Sequence, residues 1–128
     1  MDKKSVATGI VFITIAIILG AFGAHGLKGL ISAEKIASFE VGARYQMYHG
    51  LALLAIGLQA SKFSFQLKWI YFFLFVGTIL FSVSIYFLAI QEILGVSLPF
   101  LGPITPLGGS LLIVGWLIFL VKILRTND

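Results

Sequence analysis

The sequence predicts an all-α membrane protein: an antiparallel four-helix transmembrane bundle with an interfacial amphipathic helix between helices 1 and 2. Of the 128 residues, 59% are hydrophobic and 11% are charged, whereas soluble domains carry roughly 25% charged residues. The mean hydropathy is +1.07, and the apolar residues are collected into four segments. In hydrocarbon the backbone must satisfy its own hydrogen bonds, so these segments are expected to be helices. Residues 1–128 therefore form one integral membrane domain in this prediction.

Four apolar segments are the expected transmembrane helices, at about residues 6–27, 45–61, 68–90 and 106–124. A helix needs roughly 20 apolar residues to cross a bilayer, which the first, third and fourth segments supply. The second segment is short and requires a helical extension into the headgroup region. The first segment follows two lysines, as the core of a signal peptide would. It is long for such a core, and Phe22 and His25 interrupt the small-residue pattern of a cleavage site.

Residues 32–44 are predicted to form an amphipathic helix in the outer interface that leads into the second transmembrane helix. Ser32 is a good N-cap residue, and Glu34 would lie favourably in the first turn. Ile36, Phe39 and Ala43 recur at helical spacing and give the helix one apolar face. The alternative is a solvated, charged loop.

The fourth segment has a marked beginning. Thr105 is a good N-cap residue, and Pro106 suits the first helical position because its missing N–H would be unpaired there anyway. Gly108 and Gly109 leave the N–H groups of the first turn without shielding side chains, which predicts an anion site at this helix end. The alternative is a capped helix whose glycines allow close packing.

Small residues on the first and third segments predict closely packed helices. Ala16, Gly20 and Ala24 follow one another at four-residue spacing, which lets helix backbones approach in a membrane. The third segment carries two stripes, formed by Gly77, Ser84 and Gln91 and by Thr78, Ser82 and Tyr86. Two stripes fit either a compact four-helix bundle or a bundle with a second subunit.

The basic residues predict the orientation in the membrane. With four crossings, the two termini and the second loop share one side. That side holds six basic residues, Lys3, Lys4, Lys62, Lys68, Lys122 and Arg125, and the other side holds three, Lys28, Lys35 and Arg44. This excess predicts that both termini are cytoplasmic. The net charge of +4 is spread along the chain without a basic patch, so no nucleic-acid partner is expected.

In this topology both histidines lie near the outer face at similar depth, and polar residues of all four helices gather in the outer half of the bundle. We expect a polar pocket there that binds an anionic ligand, such as a lipid headgroup or a small anion. Histidine changes its charge near neutral pH, so binding or passage would depend on pH. The alternative is that the two histidines are structural. The candidate ligand-binding residues are His25, Arg44, Tyr45, Tyr48, His49, Ser82, Ser84, Tyr86, Thr105, Gly108 and Gly109.

The sequence contains no recognisable catalytic constellation. It has no nucleophile with an adjacent base and orienting acid, no phosphate-binding loop and no redox motif. Cysteine is absent and there are two histidines, fewer ligands than a metal site normally requires. We therefore expect neither an enzyme nor a metal or other cofactor.

Four motifs carry a resemblance to a known family: "GAFGAHGLK", "YQMYHGLALL", "LFSVSIY" and "ITPLGGSLLIVGW". In this order they resemble the signatures of the YgdD/YwdK-type family, small four-helix proteins of the bacterial inner membrane with a domain of unknown function. The family tends to have glycine where this chain has Val83. The resemblance implies a bacterial inner-membrane location and supplies no activity. It implies as signature positions Gly20, Gly23, His25, Gly26, Tyr45, Gln46, Tyr48, His49, Ser82, Ser84, Tyr86, Thr105, Pro106, Gly108 and Gly109.

The predicted function is therefore that of a small integral membrane protein whose outer pocket transports or binds a lipid or other ligand. The alternative is a non-catalytic accessory or homo-oligomeric subunit of a membrane complex. Membrane lipids are the expected partners in both cases, and a second copy or another membrane protein is an expected partner in the alternative.

Overall fold

The computed structural model describes residues 1–126, which form an all-helical protein. Its four long helices are α1 (Lys3–Gly26), α2 (Ala33–Leu58), α3 (Lys68–Ile90) and α4 (Ile104–Leu124). The described residues contain no β-strand, and an isolated bridge pairs Lys28 with Ile31. The all-α class is confirmed. Two residues of the predicted domain 1–128 lie outside the described ones.

Three stretches are long and apolar enough to cross a membrane: α1, α3, and α4 together with the short 3-10 turn before it, Pro99–Leu124. The remaining helix, α2, has 26 residues, but its first half carries charged side chains and its second half carries buried polar ones. The largest apolar side chains are not all buried, because Phe22 and Leu124 are 73% and 74% exposed. Apolar surface of this extent is typical of a protein whose solvent is lipid.

Residues 32–44 contain the predicted helix that leads into the second apolar segment, and the two segments run without a break as the single helix α2. Ser32 caps it as predicted, and its side chain accepts a hydrogen bond from the backbone N–H of Lys35 over 3.2 Å. Phe39 is buried, and its ring centroid lies 4.9 Å from that of Tyr86 on α3. The apolar face therefore packs against another helix, where the sequence analysis placed it against the membrane surface.

Helices α1 and α2 approach each other through glycines along their length. A Cβ atom added at Gly9 would lie 2.6 Å from the carbonyl oxygen of Gly50, and one at Gly57 would lie 2.8 Å from the backbone nitrogen of Val6. At the end of the pair, the N–H of Asp2 donates a hydrogen bond to the carbonyl of Gly57 over 2.9 Å. Without glycine at these points, the two backbones could not come this close.

Helices α3 and α4 form a second close pair of the same kind. A Cβ atom at Gly77 would lie 2.9 Å from atoms of Leu112, and one at Gly115 would lie 3.0 Å from Cβ of Phe73.

The apolar side chains between the helices form two buried clusters. One consists of Phe12, Leu53, Ile56, Ile70, Leu74 and Leu112, and the other of Phe39, Ala43, Tyr86 and Ala89.

Helices α1 and α3 each contain one π-helical turn, at Leu19–Gly23 and Ile79–Val83. Such bulges insert a residue into an α-helix and are frequent at functional sites. The turn in α3 contains Ser82, which is buried against α2. The turn in α1 contains Gly20, where an added Cβ atom would meet nothing within 4 Å. The bulge of α3 is therefore packed at Ser82, and the bulge of α1 borders open space at Gly20.

Candidate functional site

The centre of the protein holds a buried polar chain that links three helices. The side-chain amide of Gln46 on α2 donates to the backbone carbonyl of Phe12 on α1 over 3.0 Å. The hydroxyl of Tyr86 on α3 donates to the side-chain oxygen of Gln46 over 2.7 Å. Because both polar ends of Gln46 are paired inside the protein, this residue connects α1, α2 and α3.

Ser82 and Ser84 fasten α3 to its two neighbours. The hydroxyl of Ser82 donates to the carbonyl of Gly42 on α2 over 2.8 Å. Ser84 donates to the carbonyl of Phe81 in its own helix, and its oxygen lies 2.6 Å from the hydroxyl oxygen of Thr105 on α4. The structure thus places these two predicted ligand-binding serines in interhelical hydrogen bonds.

His49 is also engaged through both of its ring nitrogens. Nδ1 lies 2.8 Å from the carbonyl oxygen of Tyr45, and Trp116 Nε1 on α4 donates to Nε2 over 3.0 Å. An imidazole that accepts at Nε2 carries its proton on Nδ1, from which it donates to the carbonyl. His49 is therefore held as one neutral tautomer by groups of the protein itself.

The prediction that the two histidines lie at similar depth is wrong. His25 is exposed in the last turn of α1. Because α2 begins at Ala33, His49 lies roughly 24 Å along that helix, at about 1.5 Å per residue. The two imidazoles consequently belong to different parts of the protein.

The beginning of α4 also differs from its prediction. The helix starts at Ile104 after Pro103, without a side-chain cap, and the hydroxyl of Thr105 is paired with α3 as described above. Gly108 is buried against the backbone of α3, where an added Cβ atom would lie 2.8 Å from the carbonyl carbon of Leu80. Gly108 therefore serves close packing, the alternative weighed for it in the sequence, whereas an added Cβ atom at Gly109 would lie in ordinary contact, 3.6 Å from the Phe81 ring.

Tyr45 and Tyr48 are 42% and 55% exposed. Their ring centroids lie 5.7 Å apart in an edge-to-face contact, and the ring of Tyr45 lies 4.9 Å from that of Phe81 on α3. Both tyrosines are thus at the outside of the helices, and the predicted set of ligand-binding residues is not brought together in one cavity.

Two predicted residues, His25 and Arg44, border a different cavity, which lies between α1 and α2. One compartment of about 500 Å³ is lined by His25, Lys28, Gly20 and Glu40, among others. An adjoining compartment of about 300 Å³ shares Gly20 and Glu40 with it and is also lined by Arg44. We refer to the two compartments together as the α1–α2 groove.

The charged residues of the α1–α2 groove lie beside the apolar part of α1. Residues 5–24 of α1 contain no charged side chain, and Arg44 lines the groove together with Ala16 and Gly20 from the middle of that stretch. Ala16 lies roughly 14 Å along the helix from His25. Glu40 and Arg44 are both exposed, and within residues 1–126 neither makes an ion pair. Glu40 and Arg44 are thus charged side chains that lie beside an uncharged stretch of helix.

Within the described part of the chain, no three His, Asp or Glu side chains come together as metal ligands. Within residues 1–126 an ion pair joins Lys35 Nζ to Glu92 Oε1 over 2.6 Å, at the same end of the protein as the α1–α2 groove. The charged side chains that line the groove form no ion pair within the described residues.

Comparison with known proteins places the chain in a family. A family model described as "Protein of unknown function (DUF423)" matches residues 19–109. The chain belongs to this family. The match covers all four sequence motifs up to the first glycines of α4, so the predicted resemblance to small membrane proteins of unknown function is confirmed at this level.

Relatives of the chain in staphylococci are named as membrane proteins. A UPF0382 membrane protein of Staphylococcus epidermidis is 42% identical over 123 residues, covering 96% of this chain and 97% of the relative. Another from Staphylococcus saprophyticus is 42% identical over 119 residues, covering 93% and 95% of the two chains. A third from Staphylococcus haemolyticus is 44% identical over 103 residues, 80% of each chain. No solved structure matches the chain.

Sequence reasoning missed three residues of these arrangements as site candidates: Gln46, Trp116 and Glu40. Gln46 stands beside Tyr45 in a polar stretch of an apolar segment, which is a signal for an interhelical hydrogen bond. Trp116 gave no signal of its own, because an indole in an apolar run fits packing equally well. Glu40 was expected in a surface helix, where a carboxylate requires no special partner.

Proposed function

We propose that this family member is a four-pass protein of the bacterial inner membrane with both termini in the cytoplasm, and that it binds an anionic headgroup in its α1–α2 groove. The fourth crossing would be α2. This helix contacts α1 from one end, at Asp2 and Gly57, to the other, where a Cβ atom at Gly23 would lie 3.2 Å from the Phe39 ring. If α1 crosses the bilayer, a helix packed along its whole length crosses with it, in antiparallel direction, as the YgdD/YwdK-type resemblance implies.

The observation that carries the proposed function is the exposure of Arg44 and Glu40 beside the uncharged part of α1. A charged side chain at the bilayer centre raises the free energy by about 2.5–3.5 kcal/mol on insertion scales. Proteins retain such residues where a ligand, an ion pathway or a partner charge compensates them. The hollow beside Gly20 leaves room for such a ligand at this point.

The chemistry of the α1–α2 groove favours an anion. Arg44, Lys28 and His25 line it as bases, and Glu40 is the acid between them. A guanidinium group binds phosphate through two parallel hydrogen bonds, and it is less strongly hydrated than an ammonium group. The expected ligand is therefore a phosphate-bearing headgroup of the outer leaflet or a free phosphate-like anion. The groove lies along the surface of the helix pair, which supports binding without a catalytic step.

Titration calorimetry on purified protein would test this proposal, with short-chain phosphatidylglycerol and inorganic phosphate as separate ligands. Arg44→Gln should weaken binding about tenfold or more, the value of a lost hydrogen bond to a charged group, whereas Arg44→Lys should retain part of it. Lys35→Gln removes one positive charge from the same helix outside the groove and is the matched control. Equal affinities in all four proteins would leave these charges a structural role only. Binding of the lipid without binding of phosphate would identify the headgroup as the ligand.

The alternative of an accessory or homo-oligomeric subunit stays a prediction. It depended on the small-residue stripes of α1 and α3. Gly77, Ser82 and Ser84 of α3 are packed within this chain, whereas Gly20 of α1 is exposed. Cross-linking in native membranes separates the two cases, since a monomer band without a partner would count against a subunit role.

A further inference from the structure

A second groove with basic residues lies at the opposite end of the helices, between the first turn of α1 and the first turns of α3. Its volume is about 990 Å³, and its lining includes Lys4 from α1 and Lys68, Trp69 and Phe72 from α3. We call it the terminal groove. It shares no residue with the α1–α2 groove.

The walls of the terminal groove are apolar and aromatic. Tyr71 and Phe75 stack with ring centroids 5.6 Å apart, and Phe75 stacks in turn on Phe12 of α1 at 5.8 Å. Trp69 and Phe72 are 55% and 44% exposed and make an edge-to-face contact. Aromatic side chains at this level of a membrane helix form the belt at the boundary between hydrocarbon and headgroups.

Two lysines lie over the rings of this wall. Lys4 Nζ is 4.6 Å from the ring centroid of Tyr71, and Lys68 Nζ is 5.6 Å from the ring of Trp69. One lysine comes from α1 and the other from α3, so both helices bring a positive charge to the same groove. A lysine whose stem follows an apolar surface keeps its ammonium group near water.

The acid that lines the terminal groove is already used by the helix. The carboxylate of Asp2 accepts hydrogen bonds from the hydroxyl of Ser5 over 2.6 Å and from the N–H of Lys4 over 3.2 Å. It caps the N-terminus of α1, where a negative charge is favourable. The charge that the groove offers to a ligand is therefore positive.

We propose that the terminal groove binds one anionic phospholipid, with its phosphate between Lys4 and Lys68 and an acyl chain along Phe72, Phe75 and Val76. Charge complementarity selects the headgroup, and the aromatic wall accepts the chain. The site goes beyond the proposed function because it lies at the other end of the protein. Its assignment to the cytoplasmic leaflet rests on the proposed orientation of the protein. In that leaflet, anionic lipids attract basic residues near the membrane surface.

The two tryptophans make this proposal testable by fluorescence quenching. In the Trp116→Phe variant, emission comes from Trp69 at the terminal groove. In the Trp69→Phe variant, it comes from Trp116, which lines neither groove. Each protein would be placed in phosphatidylcholine vesicles that contain a minor fraction of brominated phosphatidylglycerol or, for comparison, the same fraction of brominated phosphatidylcholine. The ratio of the two quenching efficiencies, each normalised to unbrominated vesicles, measures the preference for the anionic lipid.

Each lysine should contribute a factor of about five to the preference at Trp69, the value of one basic residue near an anionic surface, so the two together should give a preference of roughly 25-fold. Lys4→Gln and Lys68→Gln in the Trp69 reporter should each lower the ratio, while Lys4→Arg and Lys68→Arg should retain it. Lys62→Gln removes a charge from the neighbouring loop outside the groove and should leave the ratio unchanged. Added salt should lower the preference at Trp69, and the ratio at Trp116 should stay near one.

Three results would overturn the proposal. The first is an equal effect of the two brominated lipids on Trp69. The second is a preference that survives both Lys→Gln changes. The third is a preference that Lys62→Gln lowers as much as Lys4→Gln does, since that would indicate a general surface charge in place of a site. None of these results bears on the α1–α2 groove, so the two proposals fail separately.

Discussion

Trp116 on α4 donates its indole hydrogen to Nε2 of His49 on α2 over 3.0 Å, and Nδ1 of the same imidazole donates to the carbonyl of Tyr45. A protonated His49 would present an N–H to the indole N–H, so this arrangement requires the neutral ring. The pair joins two helices that are not neighbours in the chain. His49 therefore has a complete set of hydrogen bonds without any ligand.

Replacement of Trp116 by phenylalanine should weaken the protein, because it removes the donor and leaves Nε2 of His49 unpaired. We expect the free energy of unfolding to fall by about 1 kcal/mol, within the range of interhelical hydrogen bonds in membranes. Denaturant titration of the purified protein measures it. Trp69→Phe is the control, since the described structure records no hydrogen bond of Trp69. Equal losses in the two variants would mean that ring size, and not the hydrogen bond, matters.

The chain from Phe12 through Gln46 to Tyr86 should behave as one unit. Tyr86→Phe removes one hydrogen bond and should cost about 0.6–1.7 kcal/mol. Gln46→Leu removes two hydrogen bonds and leaves the buried hydroxyl of Tyr86 without a partner, so its loss of stability should be larger. In the double variant the stranded hydroxyl is gone, and its cost should be smaller than the sum of the single costs. Strict additivity in this double-mutant cycle would show that the two side chains are not coupled.

The helical class and the positions of α1 and α3 followed from composition, because a long run of apolar residues in lipid satisfies its own backbone hydrogen bonds as a helix. The continuity of α2 did not, since nothing in residues 32–44 states whether their apolar face meets a membrane surface or another helix. Phe39 meets Tyr86, and this contact depends on where α3 lies. The depth of His49 was then misplaced, because it is counted from the start of α2.

The glycines of α1 should differ sharply in their tolerance of alanine. At Gly9 the added methyl group would lie 2.6 Å from the Gly50 carbonyl oxygen and the Leu54 backbone nitrogen, and backbone cannot move aside cheaply. Gly9→Ala should therefore cost about 1–3 kcal/mol of stability. Gly20→Ala meets nothing within 4 Å and should leave stability unchanged or slightly raised, since alanine favours a helix. Thermal unfolding of both variants checks this, and a comparable loss at Gly20 would contradict the open space seen beside it.

Thr105 provides a test of the corrected beginning of α4. If its hydroxyl serves Ser84, Thr105→Val should lower stability by about 0.6–1.7 kcal/mol, and Ser84→Ala should change little further once Thr105 is valine. If it were a helix cap, the two changes would act independently. Unfolding of the two single variants and the double variant distinguishes these outcomes.

The N-cap of α4 was predicted at Thr105, whereas the helix already begins at Ile104, and this difference has a physical reason. Proline fixes φ near the helical value, and both Pro103 and Pro106 could open the helix. The helix begins directly after Pro103, whose φ is −68°, so Thr105 falls inside the first turn. The sequence favoured Thr105 as the cap because it cannot show that Ser84 offers the hydroxyl another partner.

The π-helical turn of α1 at Leu19–Gly23 determines which of the following side chains lie on which face of the helix. In a regular α-helix one extra residue would rotate everything beyond it by roughly 100°, since there are about 3.6 residues per turn, whereas the wider π turn absorbs that residue. The segments before and after the turn thus share one axis but present differently numbered faces. Deleting a single residue within this turn would therefore restore a regular α-helix and keep His25 and Lys28 facing Glu40 and Arg44, whereas deleting one earlier in α1 would swing them away. The π turn of α1 is thus the place where the helix can lose a residue without changing which side chains line the α1–α2 groove.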